Sequence, residues 1–597
     1  MSRDPSHILQ SVFGYPEFRG QQAAVIDHIL ARRDALVLMP TGGGKSLCYQ
    51  VPALCLDGVT VVISPLIALM QNQVEALKQL GVQAAALNSS FSPEEQRKVR
   101  QDLENGSLKL LYIAPERLFS GGFLDMLSSA NVALFAIDEA HCVSQWGHDF
   151  RPEYLRLSVL HDAFPNVPRI ALTATADTRT QKDISERLNL SYGEIFKSGF
   201  DRPNISYHLT EKKNGILQLL SFIRSEQEGV SGIVYCLSRK KVESVAEKLV
   251  SEGLNALPYH AGLSADIRAR NQEKFIKDEG VIVVATIAFG MGIDKPDVRF
   301  VAHLDLPKNL EAYYQETGRA GRDGLPAIAW LTFGHQDIVK IRQLLGGGDS
   351  AEQQRIEHQK FSSLLGYCEA LECRRKVLLA YFGETLEENC GNCDNCLQPP
   401  EIFDGTEAAQ MALSCIYRTG QIYGGGHITD ILVGAETDKI KNAGHDKLPL
   451  YGKGASYSRG EWQTLIRQLL SLGYIAADIE GYGGLSLNET CRPLLKGQEK
   501  FPVRKFNRKS KGTSKRAEVT LATPEDTELF SRLKALRLTL AKEQNIPPYV
   551  IFHDKTLLEM VSLKPATLSQ LGEIHGVGSR KKDKYGSVFL DVLLEKK

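Results

Sequence analysis

Short apolar runs rich in valine, isoleucine and leucine recur through the first 335 residues, each set off from the next by a helical stretch. A first series reads DALVLM, VTVVIS, LKLLYIA, VALFAID and PRIALTAT. After a polar joint near GFDRPNISYH, a second reads SGIVYC, VIVVAT, RFVAHLD and AIAWLTF. The runs are continuous rather than alternating. A strand that is apolar on both sides must be covered on both faces, and strands joined through helices run parallel. The pattern predicts an α/β fold with two parallel sheets, each flanked by helices.

The remainder of the 597 residues is organised differently. A prior of about 150 residues per domain suggests about four domains. The expected units are 1–202 and 203–335 for the two sheets, then 336–400, helical and cysteine-rich. Residues 401–495 mix helix with a short hairpin, 496–519 form a basic linker, and 520–597 are all-helical. Lysine plus arginine equals aspartate plus glutamate at 71 each, so bulk charge says nothing about nucleic acid. A local basic run, KGQEKFPVRKFNRKSKGTSKR, is both a solvated linker and a set of potential phosphate contacts. No apolar run approaches the ~18 residues of a membrane span, and MSRDPSHILQ lacks a signal core. A soluble, intracellular protein with reduced cysteines is expected.

MPTGGGKS, residues 39–46, follows one strand and precedes a helix, the setting of a phosphate-binding loop. Thr41, Gly42, Gly43 and Gly44 let backbone N–H groups approach phosphate oxygens. Lys45 reaches the β- and γ-phosphates, and Ser46 ligates Mg²⁺. Met39 stands where the strict pattern has glycine, and a plain glycine turn is the competing reading. The stretch AIDEAHCVSQWGHDFRPEY, 136–154, places two acids at the end of another strand. Asp138 would hold the metal through water and Glu139 would orient or deprotonate the attacking water. In QETGRAGRDG, Arg319 and Arg322 share a face if the segment is helical, and would reach a γ-phosphate across a cleft. The alternative is a surface pair bound to Glu316 or Asp323.

Cys373, Cys390, Cys393 and Cys396 read C-x16-C-x2-C-x2-C. Four thiolates suit a closed tetrahedral zinc site, and the same spacing leaves an iron–sulfur cluster open. Cys368 and the scattered cysteines read as packing. In RGEWQTLIRQLLSLGYI the apolar stripe is core, and YIAADIEGYGGLSLNE reads as strand, turn, strand. A helix followed by a hairpin is the layout of a winged helix.

MPTGGGKS, SPLIALMQNQ, YIAPERL, DEAH, TATA, YHAGLS, ATIAFGMGIDKP and QETGRAGRDG stand in the order seen in superfamily 2 helicases. With FGYPEFRGQQ and AHCVSQWGHDFRPEY, the chain resembles the RecQ family of DNA helicases, of bacterial type, over nearly its whole length. The resemblance implies two RecA-like motor domains, a zinc-binding module, a winged helix and a helical HRDC domain. It places Tyr15, Arg19 and Gln22 on the adenine side of ATP, and Asp294, Lys295 and Gln315 near the ATP and DNA cleft. Asn72 departs from the acid many relatives carry. The resemblance makes zinc the metal of the four cysteines, and Trp146, Phe150 and Arg151 contacts to single-stranded DNA, with His148 in coupling. Tyr482 would tip the wing, with a hairpin that has no strand-separating role as the competing reading, and Tyr549, with Arg580, Lys581, Lys582 and Lys584, would bind single strands, with a helical protein-contact module as the competing reading. The implied activity is ATP-dependent unwinding, 3′ to 5′, with ATP, Mg²⁺ and Zn²⁺. Expected partners are single-stranded and duplex DNA, a single-strand-binding protein and recombination proteins. The implied setting is a monomer at the bacterial nucleoid, away from any membrane, in recombination, repair, replication and the SOS response. The rival readings are an ATP-gated DNA-binding or remodelling protein and an RNA helicase.

Overall fold

The structure is a computed structural model that describes residues 4–87, 92–144, 151–174, 176, 178–190, 193–290, 295–345, 351–477, 484–505 and 523–595. Seven strands build the first sheet: β1 (Ala35–Leu38), β2 (Val59–Ile63), β3 (Ala84–Leu87), β4 (Leu110–Ile113), β5 (Val132–Ile137), β6 (Arg169–Thr173) and β7 (Glu194–Lys197). Their order is β3-β4-β2-β5-β6-β1-β7, and every pairing is parallel. Ala35 and Val37 of β1 enter the core on one face, and Leu36 and Leu38 the core on the other. Both faces of a pleated strand are thus covered, as its unbroken apolar run requires.

The second sheet holds β8 (Ile205–Glu211), β9 (Gly232–Tyr235), β10 (Ala256–Tyr259), β11 (Ile282–Ala285), β12 (Phe300–His303) and β13 (Ala327–Phe333). The order is β10-β11-β9-β12-β13-β8, again all parallel. Four of these thirteen strands, β3, β7, β8 and β10, are absent from the runs read in the sequence, and they are the four sheet edges. An edge strand is partly open to solvent, so its apolar signal is diluted: β7 buries only Phe196.

Beyond the second sheet, a helix over Ala351–Glu369 leads to the cysteine module. This module is seated on β8, where Leu209 N–H donates to Asp394 at 3.1 Å and Arg375 donates to the Ile205 carbonyl at 2.7 Å. The next unit combines helices Thr406–Arg418, Gly425–Leu432 and Arg459–Ser471 with a hairpin of β15 (Ile475–Ala477) and β16 (Leu485–Leu487). Tyr482 lies outside the described residues. Trp462, Leu465, Ile466, Leu469 and Leu470 are buried, the core stripe expected of them. The boundary expected at 495 shifts, because β14 (Glu401–Asp404) pairs antiparallel with β17 (Pro502–Lys505). Phe501 and Val503 carry that strand into the core, so the first part of the basic run is structural. Tyr207 and Phe333 of the second sheet, Cys393, and Trp462 belong to one continuous core. The C-terminal helices, from Pro524–Glu543 to Ser579–Leu594, enclose a separate core around Leu533, Phe552, Met560 and Phe589. No helix among the described residues is long and apolar enough to cross a membrane.

Candidate active site and metal centre

The phosphate loop leaves β1 at its C-terminal end, where ligands of parallel sheets collect. Gly42 and Gly44 both hold positive φ, +81° and +80°, which a Cβ would strain. Gln22 clasps the loop, its amide nitrogen 3.3 Å from the Gly43 carbonyl and 3.2 Å from that of Gly44, while Arg19 N–H donates to its oxygen at 2.9 Å. The Arg19 guanidinium stands 6.0 Å from the Tyr15 ring. Lys45 Nζ donates to the Met39 carbonyl at 3.2 Å.

Asp138 and Glu139 follow β5 directly. Glu139 sits at φ +49°, a left-handed conformation uncommon for a residue with a side chain, and its N–H donates to Asp138 Oδ1 at 3.0 Å. Such local strain concentrates at functional sites. Buried His141 links this loop to the end of β6, its Nδ1 2.9 Å from Thr173 Oγ1 and 3.4 Å from Glu139 Oε2. Glu139 Oε2 is buried and has no hydrogen-bond partner among the described residues. An acceptor left open in this way suits a group that binds there, a water or a nucleotide-bound cation. Sequence reasoning named the neighbouring His148 for coupling and passed over His141, although the DEAH motif displayed it.

Arg319 and Arg322 come from the second sheet. The helix Leu310–Thr317 ends before them, so they share a turn rather than a helix face. The acids proposed as their surface partners are engaged elsewhere: Glu316 with His303 at 2.7 Å, and Asp323 with Arg299. Both arginines line one cavity of about 360 Å³ with Tyr15, Thr41, Gly42, Gly44, Lys45, Ser46, Asp138, Glu139 and Gln315. Gly43, Arg19 and Gln22 line the continuation of this space on its Tyr15 side.

Arg202, which the sequence reading left in the joint between the sheets, bridges the two halves. Its guanidinium donates to the Thr41 carbonyl in the phosphate loop and to the carbonyls of Gly318 at 3.2 Å, Ala320 at 2.9 Å and Gly321 at 2.9 Å. Burial lowers its pKa, yet an arginine still remains charged. The only sequence signal for this role was a lone arginine at a domain joint.

Trp146, His148 and Phe150 lie outside the described residues. The chain on either side is pinned beside the acids: Ser144 N–H donates to the His141 carbonyl at 3.1 Å and Arg151 N–H to that of Cys142 at 2.9 Å. Arg151 Nη1 also reaches the Pro65 carbonyl at 3.2 Å. Asp294 is outside the described residues; Lys295 is buried, 3.3 Å from Asp297. Tyr549, expected on DNA, lines the same cavity as the phosphate loop, because the C-terminal helices pack over it.

The sulfurs of Cys373, Cys390, Cys393 and Cys396 all lie within 4.8 Å of one another. Three of the separations are 3.4, 3.8 and 3.9 Å. A tetrahedron of Zn–S bonds of about 2.3 Å has edges of about 3.8 Å, so the donor set fits that ion. Backbone N–H groups point at the sulfurs, Arg374 to Cys393, Cys390 to Cys373 and Asn392 to Cys390, each at 3.4 Å. Hydrogen bonding from the Cys390 thiol, aided by the Arg374 N–H, draws the Cys393 thiol below its ordinary value. Beneath the cluster, fully buried Arg374 pairs with Asp394 at 3.0 Å and donates to the Tyr367 and Cys368 carbonyls. Cys368 and the scattered cysteines are buried, as packing predicts.

Five family models match the chain in succession: DEAD/DEAH box helicase over 19–184, helicase conserved C-terminal domain over 211–324, RecQ zinc-binding over 335–397, RQC domain over 399–512 and HRDC domain over 526–593. Among curated proteins, the ATP-dependent DNA helicase RecQ of Haemophilus influenzae is 46% identical across 99% of this chain and 96% of its own. That of Pasteurella multocida is 46% identical across 99% and 93%. That of Bacillus subtilis is 40% identical across 98% and 97%.

Proposed function

The chain belongs to the RecQ family of ATP-dependent DNA helicases, and from that premise we propose that it uses ATP to move 3′ to 5′ along single-stranded DNA and part the duplex ahead. The carrying observation is that Lys45, Asp138 and Glu139 of the first sheet meet Arg319 and Arg322 of the second around one cavity.

In this reading the loop from Thr41 to Ser46 cradles the phosphates, Lys45 exchanges the Met39 carbonyl for phosphate oxygens, and Tyr15, Arg19 and Gln22 take the adenine side. Ser46 and Asp138 are the residues that would hold Mg²⁺, which supplies positive charge to the phosphate oxygens. Glu139 accepts a proton from the water that attacks the γ-phosphorus, and the bond to the ADP oxygen breaks as the new P–O bond forms. Arg319 and Arg322 stabilise the charge on the transferring group, an effect worth ~10³ to 10⁵ in rate. Because they come from the other sheet, hydrolysis is tied to closure of the cleft, and product release to its opening.

Magnitudes explain why a cycle is required. Stacking a base on an aromatic gains ~1–3 kcal/mol, and opening a duplex step costs ~1.4 kcal/mol. A static aromatic trap can hold a frayed base but neither advances nor resets. Trp146, Phe150 and Arg151 are assigned to the single strand, and His148 to coupling; the flanking residues Ser144 and Arg151 are hydrogen-bonded to the carbonyls of His141 and Cys142, close to Glu139 in the chain. The four cysteines hold zinc as a structural ion, and the winged helix, with Tyr482 on its wing, meets the duplex. The setting that follows is the bacterial nucleoid in recombination, repair, replication and the SOS response, with the protein working as a monomer beside a single-strand-binding protein.

A forked DNA duplex incubated with and without ATP is the direct test. Strand release that depends on ATP is expected. DNA-stimulated hydrolysis with no strand released would leave an ATP-gated remodelling protein, and stimulation by RNA in preference to DNA would point to an RNA helicase.

A further inference from the structure

Arg202 stands in the joint between the two sheets, and the joint is pinned along its length. At one end, Ser198 N–H donates to the Leu38 carbonyl where β1 finishes, at 2.8 Å. The cysteine module grips the rest. Phe200 N–H donates to Glu384 at 2.7 Å, and the Phe200 ring stacks on Phe382 with centroids 4.8 Å apart. Arg375 donates to the Pro203 carbonyl at 3.3 Å. Backbone held at 198, 200 and 203 fixes the direction in which the side chain of residue 202 departs.

The guanidinium delivered there is buried, and its acceptors among the described residues are all neutral. They are the carbonyls of Thr41, Gly318, Ala320 and Gly321, with the Asn204 side-chain oxygen at 3.4 Å. The acid of the same turn, Asp323, pairs with Arg299 instead. The position therefore uses a donor fork of fixed geometry rather than a charge partner, and among side chains arginine alone offers five donors in one plane. The carbonyls of 318–321 follow the end of the helix Leu310–Thr317, where backbone acceptors lack intrahelical donors and a cation is favoured. Arg319 and Arg322 belong to this turn. The same fork reaches the phosphate loop at Thr41, and the two loops are in contact. A Cβ built on Gly318 would stand 3.4 Å from Thr41 Cβ, and one on Gly42 would stand 3.5 Å from Arg322 Cα.

We propose that Arg202 is a positioning residue for hydrolysis: it locks the turn that carries Arg319 and Arg322 against the phosphate loop, so the two arginines meet the γ-phosphate only when the Thr41 carbonyl completes the fork. The inference rests on the ATP site assigned above. Arg202 is not among the residues that line the cavity, so its effect on the nucleotide passes through the arginines. Small displacements of groups that stabilise developing charge are costly in rate. The contacts of ATP with the loop from Thr41 to Ser46 and with the Tyr15 side do not depend on the fork, so binding persists when it is lost.

The test uses the full-length chain. Its readouts are single-turnover ATP hydrolysis in the presence of single-stranded DNA and equilibrium affinity for a fluorescent ATP analogue. Arg202→Gln is expected to slow hydrolysis on the order of 10²-fold and to leave affinity unchanged. Arg202→Lys, which keeps a charge but has no fork, is expected to be slow as well. On top of Arg319→Ala or Arg322→Ala, Arg202→Gln is expected to cost far less than it does alone, because a group it positions is already gone. A wild-type rate in Arg202→Gln overturns the proposal, as does a loss of affinity that matches the loss of rate. The full loss repeated in both arginine backgrounds also overturns it, since independent structural effects multiply. Should Arg202→Gln fail to fold by circular dichroism, a wild-type rate in Arg202→Lys overturns the proposal instead. If the wild-type chain neither binds nor hydrolyses ATP, it is the assignment of the ATP site that fails.

Discussion

Lys45 and the two arginines illustrate how single residues divide the work. Lys45→Ala is expected to abolish hydrolysis while leaving DNA binding in place, since its amino group sits in the phosphate loop, 3.2 Å from the Met39 carbonyl; ATPase turnover and a DNA gel shift check this. Arg319→Ala or Arg322→Ala should slow turnover by ~10³, measured as kcat at saturating ATP and DNA. Trp146→Ala should reduce the ratio of DNA-stimulated to DNA-free ATP turnover, and an unchanged ratio returns the tryptophan to a packing role. Lys45 and the two arginines were legible because each sits in a motif whose spacing is set by local backbone chemistry, whereas the role of Trp146 came from the resemblance alone. Arg202 and the pairing of His141 with Thr173 were not, because their partners lie far along the chain and meet only when strands become neighbours.

At the scale of elements, the cysteine module shows a metal site supporting structure around it. Removing a ligand by Cys393→Ala, or stripping the ion with a chelator, should lower soluble yield, because metal binding contributes ~10–16 kcal/mol in small zinc modules. Asp394→Ala should leave the Arg374 guanidinium buried without its carboxylate, a loss of ~3–5 kcal/mol, seen as a lower midpoint in thermal or urea unfolding. The strands divide in a parallel way. Central strands such as β5 and β11 are buried at every position and declare themselves as apolar runs. Edge strands such as β7 and β10 are mostly half-open, and only their pairing partners identify them.

For the whole molecule, the distribution of cores decides what moves together. The second sheet, cysteine module and winged helix share one apolar core, so they form a single mechanical body. The C-terminal helices have their own core and meet the motor through hydrogen bonds, ion pairs and a glycine seam. Polar seams of this kind open more readily than apolar ones. That contrast makes the HRDC domain the unit whose contacts with the motor a single change can weaken, and the forked-duplex assay repeated with Glu279→Lys, which removes the ion pair to Arg537, would report whether those contacts bear on unwinding.

The sequence by itself determined the two parallel sheets, the phosphate loop, the acid pair, the arginine pair and the four cysteines. Each of these follows from periodicity, or from residues close enough in the chain for their spacing to dictate geometry. Tertiary structure alone decided that Arg202 joins the halves of the site, that β17 extends the winged-helix unit, and that Tyr549 and Lys581 line the same cavity as the phosphate loop. Those facts depend on contacts between segments separated by up to hundreds of residues, and no local propensity encodes where two distant surfaces will meet.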